Sequence, residues 1–274
     1  LGAAYGLIEE GLALQSLFDP TYGTVALWGA RVFGVNWVYT FVVIIWIHPV
    51  WSVAIPIALT ELLFPAQRER PALGRFGLAI AFIWYILGVV LLFLFARTIS
   101  PYSVSPLVSG VVSLIALMLA VGALFVLPRQ QSEAKQPGPN PSPSGVLLFT
   151  GMSAFLALGI PALLWRFIPI MAQFPLVLIL LLIPPCMALV LLSRLKHWTR
   201  SSHWNDRHLL ALISGMLIAH TIVGGLLFSK TVVETGALAV MGLVMVALLG
   251  GLAVQLRRRE AVLTNHPLNR SGQA

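Results

Sequence analysis

Four side chains stand out because their types do chemistry and their surroundings are apolar: Glu9, Glu10, His48 and His220. An ionisable group within a membrane span costs about 2.5–3.5 kcal/mol at the bilayer centre on insertion scales, so each needs a reason to be there. A carboxylate near an imidazole can act as a general base towards water. Carboxylate oxygens and imidazole nitrogens together can also bind a divalent metal such as zinc. On this reading Glu9, Glu10 and His48 are the catalytic candidates, and His48 and His220 the metal-ligand candidates.

Each residue also has a structural alternative. Glu9 and Glu10 are adjacent, so on an α-helix they diverge by about 100° and cannot both address one point well. One could bond a neighbouring helix while the other snorkels. His48 precedes Pro49 and could satisfy backbone groups freed by a proline kink. His220 lies among Ser214, Gly215, Ala219, Gly224 and Gly225, a surface suited to close helix packing and interhelical hydrogen bonds.

The elements that position these groups are membrane helices. Of 274 residues, 58% are hydrophobic and 9% charged, against about 25% charged in soluble domains. So few charges cannot cover a soluble surface, which makes the lipid bilayer the principal partner. Apolar runs bounded by charge and Pro/Gly clusters fall at approximately 1–18, 37–64, 74–96, 106–127, 145–166, 174–193, 208–228 and 236–255. The expected fold is an all-α polytopic helix bundle with about eight transmembrane helices. Leu1 opens within an apolar run, without Met, a basic flank or a small-residue cleavage site. This reads as a chain starting inside a helix rather than as a signal peptide.

Loop charge tests that count. Thirteen of the 17 basic residues follow even-numbered helices; only Arg31, Arg97, Arg166 and Lys230 lie in the other loops. The positive-inside rule makes the richer side, with the C-terminus, cytoplasmic, and the compartment expected is a prokaryotic plasma membrane. A net charge of +8 is explained by those loops, not by nucleic acid. The polar, proline-rich segment 128–144 reads as a flexible linker. It separates an N-terminal four-helix half, 1–127, from a C-terminal half, 145–256, with a basic tail at 257–274. His197, His203, His208 and His266 accompany basic segments and read as solvated, and Cys186 reads as a small buried hydrophobe. With helices one and seven running outward and helix two inward, Glu10, His48 and His220 lie roughly 12–16 Å below one face. Glu9 or Glu10 is therefore expected to meet His48 at about 2.6–3.2 Å.

The Glu9-Glu10 pair on one helix, followed by a helix bearing His48, resembles the opening of the intramembrane protease superfamily, which includes the PrsW and CPBP families. The resemblance covers residues 5–60. Leu14 stands where CPBP proteins carry an arginine, Ala13 where PrsW-like proteins carry a lysine, and Ile44 where the CPBP pattern has phenylalanine. It implies a membrane-embedded hydrolase in which Glu9 or Glu10 activates water, with His48 and His220 binding metal or an oxyanion. The substrate would be a membrane-embedded protein or peptide. The first 65 residues are also similar to uncharacterised prokaryotic membrane proteins. Rival readings are a small-solute or proton-coupled transporter, a haem-binding subunit ligated by His48 and His220, and a non-enzymatic membrane protein.

The topology is tested by thiol labelling in a background lacking Cys186. Gly138→Cys is expected to react with an impermeant maleimide only from the cytoplasm, and Val25→Cys only from outside. The reverse pattern would overturn the orientation.

Overall fold

The computed structural model describes residues 1–23, 31–68, 70–71, 73–127, 135–227, 229 and 231–265. His266 and the end of the basic tail lie outside them. Among the described residues there are eight helices and one small hairpin. Helix α1 is Gly2–Gly6 continued as a π-helical Leu7–Ala13. Helix α2 is Trp37–Leu63, α3 Arg75–Ile99 and α4 Pro106–Val126. Helix α5 is Pro143–Phe167, α6 Val177–Thr199, α7 Asp206–Leu227 and α8 Val232–Asn265. Helices α2 to α8 are each long and apolar enough to cross a membrane. The protein is a multi-pass, all-α membrane helix bundle.

The boundaries follow local chemistry. Asn36 caps α2 by accepting from the Tyr39 N–H, and Ser105 caps α4 by accepting from the Val108 N–H, with Pro106 in the first turn. The expected first span at 1–18 is corrected: α1 ends at Ala13. Gln15 then adopts a left-handed φ of 58° and turns the chain back. Leu17 and Phe18 prolong the apolar run but are buried in the core rather than helical.

Contacts divide the chain into two compact units, Leu1–Ser132 with Phe167–Leu182, and Glu133–Arg166 with Ile183–Ala274. The core of the first gathers Leu7, Leu17, Phe18, Val43, Ile44, Val104, Val112 and Ala116. Two glycines set the approach of α1 to α2. A Cβ on Gly2 would overlap the Pro49 backbone, and one on Gly6 would lie 2.7 Å from His48 Cδ2. On α1's other side, a Cβ on Gly11 would lie 2.9 Å from Val112 Cγ1 of α4.

Helix α2 is π-helical from Val42 to Ala54 and carries Pro49 inside that stretch. Proline lacks an N–H and crowds the carbonyl four residues back, and i→i+5 bonding widens the helix at that point.

The connection between α1 and α2 packs against helix ends. It contains the hairpin Arg31–Val32 and Val35–Asn36, turned by Phe33 and Gly34, both at positive φ. Arg31 donates to the Phe18 carbonyl at 2.8 Å and the Asp19 carbonyl at 2.7 Å, and the Asn36 N–H donates to the Leu17 carbonyl at 2.8 Å.

In the second unit, α5 and α7 touch at Gly151 and Gly215, and the Thr150 hydroxyl donates across to the Leu212 carbonyl at 3.2 Å. Three sequence expectations change here. The segment 128–144 is not wholly a free linker, because its described part is docked. The Gln136 N–H donates to Arg200 O and Gln136 O accepts from the Ser202 N–H, both at 2.9 Å. His208 is buried rather than solvated: its Nε2 lies 2.8 Å from the Pro141 carbonyl, its Nδ1 2.7 Å from Asn205 Oδ1, and Trp204 stacks on its ring. Cys186, expected to be buried, is exposed, because it faces outward on α6.

Gly2→Ala is expected to lower stability by about 1–3 kcal/mol through overpacking against Pro49. Gly88→Ala, with open space beside it, should raise stability by about 0.5–1 kcal/mol through helix propensity. Unfolding in detergent micelles measures both; wild-type stability in Gly2→Ala would refute the close helix approach.

Candidate functional site

Gly2, Gly6 and Glu10 recur at four-residue intervals and face α2, so the seam that excludes side chains ends on a carboxylate. Opposite it, His48 is buried. Its Nε2 lies 3.4 Å from Glu10 Oε1, and its Nδ1 lies 3.6 Å from Glu9 Oε2 and 3.1 Å from Ser52 Oγ. Glu9, Glu10 and His48 thus come together, at ion-pair separations slightly longer than the direct bond expected. Both glutamates reach the same ring. Two features reconcile this with their adjacency. The π-helical winding of Leu7–Ala13 turns each residue less than an α-helix would. The ring also presents its nitrogens on opposite edges.

The two carboxylates differ in environment. The Glu10 side chain is 9% exposed and that of Glu9 25%. Glu10 Oε2 accepts from the Tyr39 hydroxyl at 3.0 Å and, through a very short bond, from the Ser16 hydroxyl. Glu9 is bonded by the Tyr5 hydroxyl and lies close to Tyr85 of α3. The Tyr5 ring meets the His48 ring edge-on at 5.3 Å. Tyr22 also lies near both carboxylates; burial first, then the charges of Glu10, Glu9 and Asp19, push its phenol above the usual range.

Four of the chain's five tyrosines therefore surround the glutamate pair, from four different segments. Sequence reading missed Tyr5, Ser16, Tyr39 and Ser52. Tyr39 and Ser52 flank His48 on α2 and Tyr5 precedes Glu9 by four residues, so helical spacing was an available signal for these three. Ser16 had none, because only the turn at Gln15 brings it back onto Glu10.

A second polar group braces the end of the unit nearest Trp37. Gln15 Oε1 accepts from the Val104 N–H at 3.0 Å and from Arg97 at 3.4 Å, and Arg97 also reaches the Tyr102 carbonyl. Asp19 is buried and accepts from Ser100 Oγ, Thr21 Oγ1 and the Thr21 N–H, each at 2.7 Å. Burial alone would raise the Asp19 carboxyl, but the bonds from Ser100 and Thr21, with the Arg31 charge, outweigh it and hold it below the ordinary range.

A match exists between residues 1–256 and the group described as "Uncharacterized membrane protein family". The chain belongs to that family. No curated protein and no solved structure matches it. The family description names a membrane protein without chemistry, so the resemblance to intramembrane proteases gains no support from it.

The site geometry bears on metal binding. Among the described residues, no three His, Cys, Asp or Glu side chains are disposed to hold one ion. Glu9 and Glu10 occupy opposite edges of the His48 ring, so their oxygens do not converge with one nitrogen on a shared point. The donor set does not fit a zinc centre. His220 stands on α7 in the second unit, whereas Glu9, Glu10 and His48 all belong to the first. What the arrangement can do is move protons: a carboxylate, an imidazole and a second carboxylate adjoin in series, with hydroxyl donors at both ends.

Asp19 gives a pH test. Its lowered folded-state value means its contribution is fully present above the unfolded carboxyl value of 3.8 and is lost as pH falls through the lower folded value. Asp19→Asn is expected to destabilise the protein at pH 7 by about 1–3 kcal/mol. The gap from wild type should close below about pH 4. A gap independent of pH, measured by unfolding across pH 2–7, would exclude an ionised Asp19 as the brace.

Proposed function

We propose that this family member is a membrane-embedded hydrolase acting on a membrane-embedded protein or peptide. Its bundle sits in a prokaryotic plasma membrane with the C-terminus in the cytoplasm. The observation that carries the reading is the pair of carboxylates on opposite nitrogens of one buried imidazole, with Glu9 partly exposed and Glu10 buried. Glu10, held by Tyr39 and Ser16, orients His48. Glu9 takes a proton from water as the water oxygen bonds to the substrate carbonyl carbon. When the carbon–nitrogen bond breaks, that proton passes to the departing nitrogen, directly or through His48. This division of labour, one carboxylate fixed and one reactive, follows from unequal environments of chemically identical groups.

The transporter reading has less support. A relay needs polar groups continuing towards both faces. On α2 beyond Ser52, residues 53–63 contribute only Thr60 and Glu61 as polar side chains, and the Thr60 hydroxyl is spent on the Pro56 carbonyl at 2.8 Å.

The test is cleavage of fluorogenic single-span peptides in proteoliposomes. Glu9→Gln and His48→Ala should each lower the rate by about 10²–10⁴-fold. Glu10→Gln should do so less, because it removes orientation rather than the base. Combining Glu10→Gln with His48→Ala should add little to the single His48→Ala loss, since the two act as a unit. Full activity in all three single variants would end the hydrolase proposal.

A further inference from the structure

The second unit gathers charge at one end. Segments 135–142, 194–208 and 257–260 carry eight lysines and arginines against two carboxylates. Far apart in sequence, they are joined by direct contacts. Lys135 Nζ donates to the Trp204 carbonyl at 2.7 Å, Asn205 Nδ2 donates to Glu260 Oε1 at 3.1 Å, and Arg207 pairs with Glu260 at 3.4 Å. The docked strap at Gln136 and the His208–Pro141 bond hold Lys135 on this end.

One of the two carboxylates is thereby committed to Arg207 and Asn205, while Lys135, Lys196, Arg257 and Arg258 remain exposed. Their level relative to the bilayer follows from α8. Its 34 residues span about 50 Å, longer than a hydrocarbon core of about 30 Å. Its apolar run gives way to charge at Arg257, one residue after the buried Leu256. Arg257 and Arg258 therefore stand at headgroup height, the layer that tryptophans such as Trp204, whose carbonyl holds Lys135, favour.

We propose that this end of the second unit is a binding surface for anionic phospholipid headgroups, with Lys135, Arg257 and Arg258 supplying the phosphate contacts. Charge complementarity selects the occupant. With eight cations against two carboxylates, this cluster at the membrane surface keeps a net positive charge however its members pair among themselves. The nearest source of negative charge at that height is lipid phosphate. The strap makes the surface composite: it adds a cation from the segment before α5 to those at the end of α8. This inference does not depend on the hydrolase reading.

The test uses the full chain reconstituted in phosphatidylcholine bilayers with trace spin-labelled phosphatidylglycerol or phosphatidylcholine. The motionally restricted fraction of each label is read by electron paramagnetic resonance. The wild type should prefer phosphatidylglycerol by about fivefold or more at low salt. The preference should fall towards unity in Lys135→Gln/Arg257→Gln/Arg258→Gln and at about 1 M salt. Lys135→Gln alone, a milder change, should remove part of it. Arg68→Gln/Arg70→Gln, in the first unit, should leave it intact. Equal restriction of both labels in the wild type, an undiminished preference in the Lys135 variant, or a loss as complete in the Arg68/Arg70 variant would each overturn the assignment.

Discussion

The first unit is organised by one imidazole held between two carboxylates in an apolar interior. Removing ionisable groups from water is unfavourable, and each group offsets part of that cost only by having the others within reach. None of the three is tolerable alone at that depth, so they form a unit. The surrounding hydroxyls follow from the same constraint. His48 Nε2 leaves Glu10 with a second oxygen to satisfy, and Tyr39 and Ser16 supply the donors. Placing Ser16 there requires the chain to reverse straight after α1, which Gln15 does in a conformation that few non-glycine residues adopt. The Gln15 side chain is in turn fixed by Val104 and Arg97. A local electrostatic need thus propagates into the connection between α1 and α2 and on to the ends of α3 and α4.

Backbone geometry makes the pairing possible. The imidazole can reach both carboxylates only if α1 and α2 lie nearly in contact, and Gly2 and Gly6 remove the side chains that would separate them. Small residues serve this purpose between membrane helices, where there is no hydrophobic gain from association and close packing must supply the attraction. Both helices also depart from α geometry where the ionisable groups sit: Glu9 and Glu10 in Leu7–Ala13, His48 in Val42–Ala54. Wider turns often accompany functional sites. In α2 the widening coincides with Pro49, which cannot join an ordinary ladder. The proline that appeared as an alternative explanation for His48 is part of what presents it.

Much of this was legible in the residues. Seven spans are apparent because long apolar runs have few alternatives, and Glu9, Glu10 and His48 because charge is rare within them. The end of α1 was not legible, since Leu17 and Phe18 are as apolar as a span. Periodicity does not separate a buried non-helical segment from a helix. The strap at 135–142 and the burial of His208 escaped for a different reason. Proline-rich polar composition signals an absence of regular structure, but says nothing about whether an extended backbone finds carbonyls and amides to bond. The roles of Tyr39 and Ser16 depend on contacts between segments that only folding creates.

The two histidines buried among the described residues, His48 and His208, show why burial alone does not mark a reactive group. His208 meets a backbone carbonyl and an asparagine side chain, and an aromatic ring covers it. Neither partner exchanges protons at ordinary pH, so the ring works there as a crosslink that ties the strap to α7. His48 is buried to the same extent, yet both its nitrogens face carboxylates. Those partners can take up and release protons, and one of them is open enough to meet another molecule. The same side chain at the same burial is a fastening in one unit and, on the proposed reading, a proton carrier in the other, and the chemistry of its neighbours makes the difference. A lone histidine in an apolar run is therefore weak grounds for function. A histidine facing a glutamate pair across a glycine-lined seam is much stronger, because maintaining that arrangement constrains helix spacing, helix winding and the path of the connecting chain all at once.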